Sequence, residues 1–160
     1  GLVENGAVYN HGAAFKIAAD CMLKRADTAY KTLKMISYDN PKNPENGVEP
    51  YAVSNMYMGP ENKYIAGYAP MSWITGTAGW LYRCVTEFMC GVKPTFDGLE
   101  VSPCLPAEWD GVTVKRIFRG ETYEITYERS DIKQLICDGK PVKKLPLTGK
   151  GSVHNVICKF

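Results

Sequence analysis

The hydrophobic periodicity of this chain changes once, near residue 97, from a helical repeat to strict alternation. Such a chain folds as helices followed by a β-rich unit, because each period lines up one face of only one kind of element. The expected domains are therefore 1–96 and 97–160. In the first, residues 12–24 read as a helix in which Lys16, Asp20 and Lys24 form a polar stripe opposite Phe15, Ala18, Ala19 and Met22. Asp27 can cap a second helix ending at Ile36, with Tyr30, Leu33 and Ile36 inward and Lys31 and Lys34 outward. The two make a helical hairpin. A third helix is predicted from a cap at Ser72 to about Cys90, with Gly91 past its end. Its buried face is Ala78, Leu81, Tyr82, Val85 and Met89.

Between the second and third helices, residues 37–71 carry Pro41, Pro44, Asn46-Gly47, Gly59-Pro60 and Pro70, which forbid long regular elements. The same stretch holds Tyr51, Tyr57, Tyr64, Tyr68, Met56 and Met58, too aromatic for disorder. An ordered loop lining a site is expected. In the second domain Val112, Val114 and Arg116 alternate with Thr113, Lys115 and Ile117. Tyr123, Ile125 and Tyr127 likewise alternate with Glu124, Thr126 and Glu128. Gly120 marks a turn between these runs, and Asp138-Gly139 is a two-residue hairpin signal. A small antiparallel sandwich is the expected outcome.

Composition excludes several functions. The formal net charge is only +2, and Lys and Arg are scattered, which argues against a nucleic acid or an anionic membrane as partner. No apolar run approaches the roughly 20 residues of a membrane span. The cysteines, Cys21, Cys84, Cys90, Cys104, Cys137 and Cys158, contain no CxxC pair, and only two histidines accompany them, so no metal site is expected. An even count permits disulfides, but the apolar neighbours of Cys21 and Cys158 favour buried free thiols and a cytoplasmic location. The opening Gly1-Leu2-Val3 suggests a piece of a longer protein.

Three groups of residues could carry chemistry. His11 stands at a helix start, beside backbone N–H groups without intrahelical acceptors. It suits an anion, or it has no role. Ser72 to Trp80 holds Gly76 and Gly79 with Thr75 and Thr77 at the start of the third helix. That reads either as an anion cradle or as a glycine-mediated helix contact. The Walker lysine is absent, so it is not a P-loop. Glu4, Glu49, Tyr51 and Asn55 are polar or amphipathic residues in the same segments, of the kinds that hold sugars.

Four motifs in order resemble one family. Glu4-Asn5-Gly6 with Tyr9-Asn10-His11, Val48-Glu49-Pro50-Tyr51, Trp73 through Arg83, and Pro103 through Trp109 are similar to the inverting disaccharide phosphorylases of the cellobiose phosphorylase type, glycoside hydrolase family 94. The resemblance implies the end of an (α/α)6 barrel followed by a jelly-roll-like β-sandwich. It implies that phosphate attacks the anomeric carbon of a β-linked glucosaccharide with inversion, giving α-glucose 1-phosphate, while an aspartic acid protonates the leaving oxygen. Phosphate is itself the nucleophile, so the second carboxylate of an inverting glycosidase is not needed. Phosphate is a co-substrate, and no cofactor is implied. By the family pattern His11, Thr75 and Gly76 bind phosphate and Glu4 lies in the sugar site, while Glu49, Tyr51 and Asn55 are candidate substrate-binding residues from the chemistry of their segments. No catalytic residue is expected in this segment. The general acid and a phosphate-binding arginine belong upstream, and Asp20 and Asp110 are not substitutes. The upstream part of the same enzyme is thus the first partner, with a homodimer possible at full length. The competing readings are a hydrolase on the same barrel and a non-catalytic carbohydrate-binding or structural module.

Overall fold

The computed structural model describes residues 5–37, 40, 47–49, 52–69, 71–72 and 74–160. The chain forms two compact units, Gly1–Val85 and Thr86–Phe160, each with its own core. It is a mixed α/β chain, helical first and β-rich after.

Helix α1 spans Asn10–Met22, two residues earlier than the 12–24 expected, because the chain enters it directly from strand β1, Val8–Tyr9. Its buried residues are Asn10, Ala14, Ile17, Ala18, Asp20 and Cys21. Of the expected apolar face only Ala18 is buried, while Phe15 and Met22 are 46% and 70% exposed. Within the supposed solvent stripe Asp20 is buried by an ion pair, while Lys16 and Lys24 stay exposed. Lys16 Nζ lies 2.6 Å from the Asp20 carboxylate and donates to Thr32 Oγ1 at 2.9 Å. Thr32 belongs to α2, Ala26–Ile36, so this polar stripe joins the two helices. Asp27 stands in the first turn of α2, and Arg25 occupies the cap position assigned to it. Ala29 and Ile36 are buried, Tyr30 and Leu33 half-buried, and Lys31 and Lys34 exposed.

The long connection is ordered where it is described. Strand β2, Met56–Tyr57, pairs antiparallel with β1, Val8 facing Tyr57 and Tyr9 facing Met56. Met58 N donates to Tyr68 O at 2.8 Å, and Gly67 N returns to Met58 O at 2.9 Å. Met56, Tyr57 and Met58 are all buried. Helix α3 is shorter than expected. It begins at Thr77, not after Ser72, and spans Thr77–Arg83 before widening into a π-helical turn, Cys84–Met89. Gly76 precedes it as its cap residue. Thr77 and Cys84 face inward, and the Cys84 thiol donates to Ala14 O at 3.2 Å. Ala78 and Tyr82 of the expected face are exposed instead, and Leu81 and Val85 are half-buried.

The second unit holds two sheets. The three-stranded one orders β3 (Val92–Thr95), β4 (Gly98–Val101) and β9 (Leu145–Pro146) as β3-β4-β9. The five-stranded one contains β5 (Thr113–Phe118), β6 (Glu121–Glu128), β7 (Gln134–Cys137), β8 (Lys140–Val142) and β10 (Val153–Lys159), ordered β5-β6-β10-β7-β8. The expected purely antiparallel tail is corrected here. Strand β10 inserts between β6 and β7 and runs parallel to β6, from Val153 opposite Thr122 to Lys159 opposite Glu128. Alternation along a strand sets which face is buried and is silent on the direction of the neighbour. The alternation itself holds: Tyr123, Ile125 and Tyr127 are buried while Glu124, Thr126 and Glu128 are exposed. Asp138 and Gly139, with φ of 50° and 78°, make the β7–β8 turn, as a two-residue hairpin of the right twist requires. Buried Leu99, Leu145, Ile125 and Val156 form the core, each contributing about 1.5–3 kcal/mol. The tyrosines there keep their hydroxyls satisfied, Tyr127 donating to Cys90 O at 2.6 Å and Tyr123 to Pro146 O at 2.7 Å. All six cysteines are buried, and none is joined in a disulfide.

A buried polar cluster pins three segments of this unit. His154, 5% exposed, places Nδ1 2.7 Å from Asp138 Oδ2 and Nε2 3.1 Å from Glu121 Oε2. Its ring stacks on Tyr123 at 5.0 Å. Glu121 also accepts the backbone N–H groups of Thr148 and Gly149, each at 3.0 Å. The Asp138 bond raises the His154 pKa; burial opposes this, and Glu121 adds to the rise. Burial alone would raise the Glu121 pKa, but the Thr148 and Gly149 amides and His154 bring it down to about 2. The histidine contribution is therefore complete below its unfolded value near 6.5 and is lost as pH rises through the higher native value. The glutamate contribution is complete above about 4.5 and is lost as pH falls toward 2. Urea unfolding of the chain should show greatest stability between these limits. In His154→Gln the alkaline-side decline should flatten, and an unchanged pH profile would show that the cluster stabilises nothing.

Candidate functional site

Backbone bonds bring three sequence-distant segments of the first unit to one place. Asn10 N donates to Asn55 O at 2.9 Å, and Asn55 N donates to Met71 O at 2.8 Å. Asn10 opens α1, so His11 follows at once, and Met71 leads toward Thr75. The Asn10 amide donates to Ser54 O at 3.1 Å, and the Ser54 hydroxyl donates to Met56 O at 2.5 Å. Ser54 and Asn10 are both buried. Neither was singled out from sequence, although Asn10 stood inside a quoted motif.

His11 meets Gly76 here. A Cβ at Gly76 would lie 2.9 Å from His11 Cε1 and 3.2 Å from Nε2. The glycine is thus needed because the imidazole occupies its side-chain volume. Tyr9 lies on the other side, its hydroxyl 3.3 Å from His11 Nδ1. Phe15 packs on the ring at 4.8 Å, and Trp80 meets Phe15 edge-on at 4.6 Å. His11 Nε2 and Asn10 Oδ1 are buried with no hydrogen-bond partner among the described residues. Buried polar atoms are almost always satisfied, so such orphans point to a ligand or water that completes them.

Thr75 and Asn55 complete the group. The Thr75 hydroxyl donates to Asn55 Oδ1 at 3.1 Å, and the Thr77 amide donates to Thr75 Oγ1 at 3.0 Å. His11, Asn55, Thr75 and Gly76 are therefore assembled in one unit. Glu49 is exposed, and its backbone oxygen accepts from Ala52 N. Glu4 and Tyr51 lie outside the described residues. Asp20 is buried in its pair with Lys16, and Asp110 is an exposed residue of the second unit.

That second unit has a pocket of about 300 Å³ whose walls include Trp109, Asp110, Glu128, Arg129 and Phe160. The Arg129 guanidinium lies 5.1 Å over the Phe160 ring. Among the described residues, Cys137, Asp138 and His154 form one group able to hold a metal, with donor atoms within 4.8 Å of one another. Both His154 nitrogens are engaged by protein groups, and burial pushes the Cys137 thiol up to about 11, so its thiolate is disfavoured. No helix among the described residues is long and apolar enough to cross a membrane.

Residues 1–91, which include His11, Asn55, Thr75 and Gly76, match the glycosyl hydrolase 94 superfamily catalytic domain, and the chain belongs to that family. Its relatives include solabiose phosphorylase of Paenibacillus borealis, 42% identical over 98% of this chain and 21% of the relative. The N,N'-diacetylchitobiose phosphorylase of Vibrio proteolyticus is 34% identical over 98% of the chain and 20% of the relative. Cellobionic acid phosphorylase of Neurospora crassa is 33% identical over 91% and 19%. The chain thus spans about a fifth of the length of the curated relatives it matches.

The Gly76 geometry has a direct consequence. Its φ of −84° is open to any residue, so Gly76→Ala should fold, with stability changed by less than about 1 kcal/mol. The new methyl should displace the His11 ring, read as a shift of the imidazole resonances. An unmoved ring with intact stability would mean that the glycine is not there for the histidine.

Proposed function

We propose that this chain is the C-terminal part of a glycoside phosphorylase. In the complete enzyme, inorganic phosphate would cleave a β-glucosidic bond with inversion, giving α-glucose 1-phosphate and a shortened acceptor. The observation that carries this reading is the buried, unpartnered Nε2 of His11 beside Gly76. A protonated Nε2 and the Thr75 hydroxyl are donors, and a phosphate oxygen is an acceptor for both. Charge-assisted bonds of this kind are short and strong. Donors fixed before the reaction need no reorganisation as charge develops. The family membership and the phosphorylase names of the relatives support the same class.

On this reading α1, α2 and α3 are the closing helices of an (α/α)6 barrel and the second unit is its appended β-sandwich. Glu4, Glu49, Tyr51 and Asn55 lie toward the saccharide. The general acid is supplied by the upstream part of the enzyme, which would also cover the exposed Met22, Leu23, Met35 and Ile74. The isolated 160-residue chain should accordingly associate and release no sugar phosphate. Monomeric behaviour in ultracentrifugation, or glucose 1-phosphate release by the chain alone, would contradict that.

The complete enzyme tests the function. Cleavage should depend on phosphate, whereas a hydrolase on the same barrel would proceed without it. His11→Ala should raise the phosphate KM about tenfold to a hundredfold, as expected for losing a hydrogen bond to a charged group. The saccharide KM should move little. An unchanged phosphate KM and kcat would leave His11 with a packing role only.

A further inference from the structure

We infer that Thr77 is a positioning residue that makes the Thr75 hydroxyl an obligate donor, an inference that rests on the phosphorylase reading above. Thr75 Oγ1 has three neighbours: Asn55 Oδ1 at 3.1 Å, Thr77 N at 3.0 Å and Thr77 Oγ1 at 2.6 Å. A hydroxyl has one proton and two lone pairs. The amide oxygen of Asn55 can only accept, so Thr75 gives its proton there. The backbone N–H of Thr77 can only donate, and it takes one lone pair of Thr75. The Thr77 hydroxyl then has a single role left toward Thr75, donation into the second lone pair.

The Thr75 oxygen is thereby saturated as an acceptor and acts outward only as a donor. Accepting two bonds also polarises its O–H, which strengthens the bond it gives. Such a group suits an anion such as phosphate, whose unprotonated oxygens all accept. It offers nothing to a ligand that must donate. Without an anion, Asn55 Oδ1 holds the proton. A phosphate oxygen is a charged acceptor and forms the stronger bond than a neutral amide oxygen. Thr77 is 0% exposed, so it acts on the ligand only through Thr75. Sequence reasoning counted Thr77 as one more hydroxyl at a helix start; the proton bookkeeping gives it a separate role.

The test uses the complete enzyme. Thr77→Val keeps the side-chain shape and the backbone N–H but frees one lone pair of Thr75. The phosphate KM should rise about threefold to tenfold, with the saccharide KM and the melting temperature nearly unchanged, and inhibition by sulfate should weaken in parallel. Thr77→Ser should restore the phosphate KM, because the donor returns. Should the valine variant fail to fold, Thr77→Cys carries the comparison, its weak S–H donor giving an intermediate KM. His11→Ala and Thr75→Val test the underlying site separately. If neither changes the phosphate KM, the site is misassigned and the inference falls with it. If both raise it while Thr77→Val does not, or if Thr77→Ser is as impaired as Thr77→Val, the site stands and the positioning role is overturned.

Discussion

The backbone of Asn55 holds three segments of the first unit together. Its oxygen accepts from the first residue of α1, and its N–H donates to Met71 on the approach to α3. Both bonds are local in length and long-range in sequence. They turn a proline- and glycine-rich connection into a fixed strap. Without them His11 and Thr75 would belong to unrelated parts of the surface. The buried Ser54 hydroxyl and the Asn10 amide reinforce the same crossing. Each backbone bond is modest in net energy, about 0.5–1.5 kcal/mol, yet together they set the distance between the imidazole and the threonine.

A second constraint is steric. The space against Gly76 is occupied by an imidazole ring. Sequence reasoning attributed that glycine to close approach of a ligand or of a helix. The structure gives a nearer cause, since the His11 ring itself excludes a side chain there. The motif Thr75-Gly76-Thr77 thus does two things. The glycine makes room for the imidazole, and the threonines bond to each other and to Asn55.

How much was legible beforehand depended on which physical signal each feature left. Alternation in β6 and the Asp138-Gly139 turn were readable because period and left-handed backbone both mark residue types. The second helix was readable from its lysines, which do face out. The first helix misled, because Asp20 is buried in its pair with the exposed Lys16, a pairing that hydropathy cannot see. The start of α3 was misplaced because Ser72 has the composition of a cap, while Thr75 receives the Thr77 amide. The residues His11, Thr75, Gly76 and Asn55 were named from motifs and helix-end chemistry, and they do meet. Their meeting depends on the Asn55 crossing, which leaves no periodic trace. The parallel neighbour of β6 was invisible for the same reason, since strand direction is a property of the connection.

That parallel strand has a consequence for how the second unit comes into being. β10 lies in the middle of the five-stranded sheet, yet it is the last strand in order along this chain. Until residues 153–159 arrive, β6 and the β7–β8 hairpin have open edges facing each other and no common partner. The sheet is therefore closed by its final strand, a high-contact-order step that follows the quick local hairpins. A nascent chain carrying everything up to Ser152 would hold two unjoined ribbons with exposed backbone groups, the state in which β-proteins are most prone to pair with the wrong neighbour.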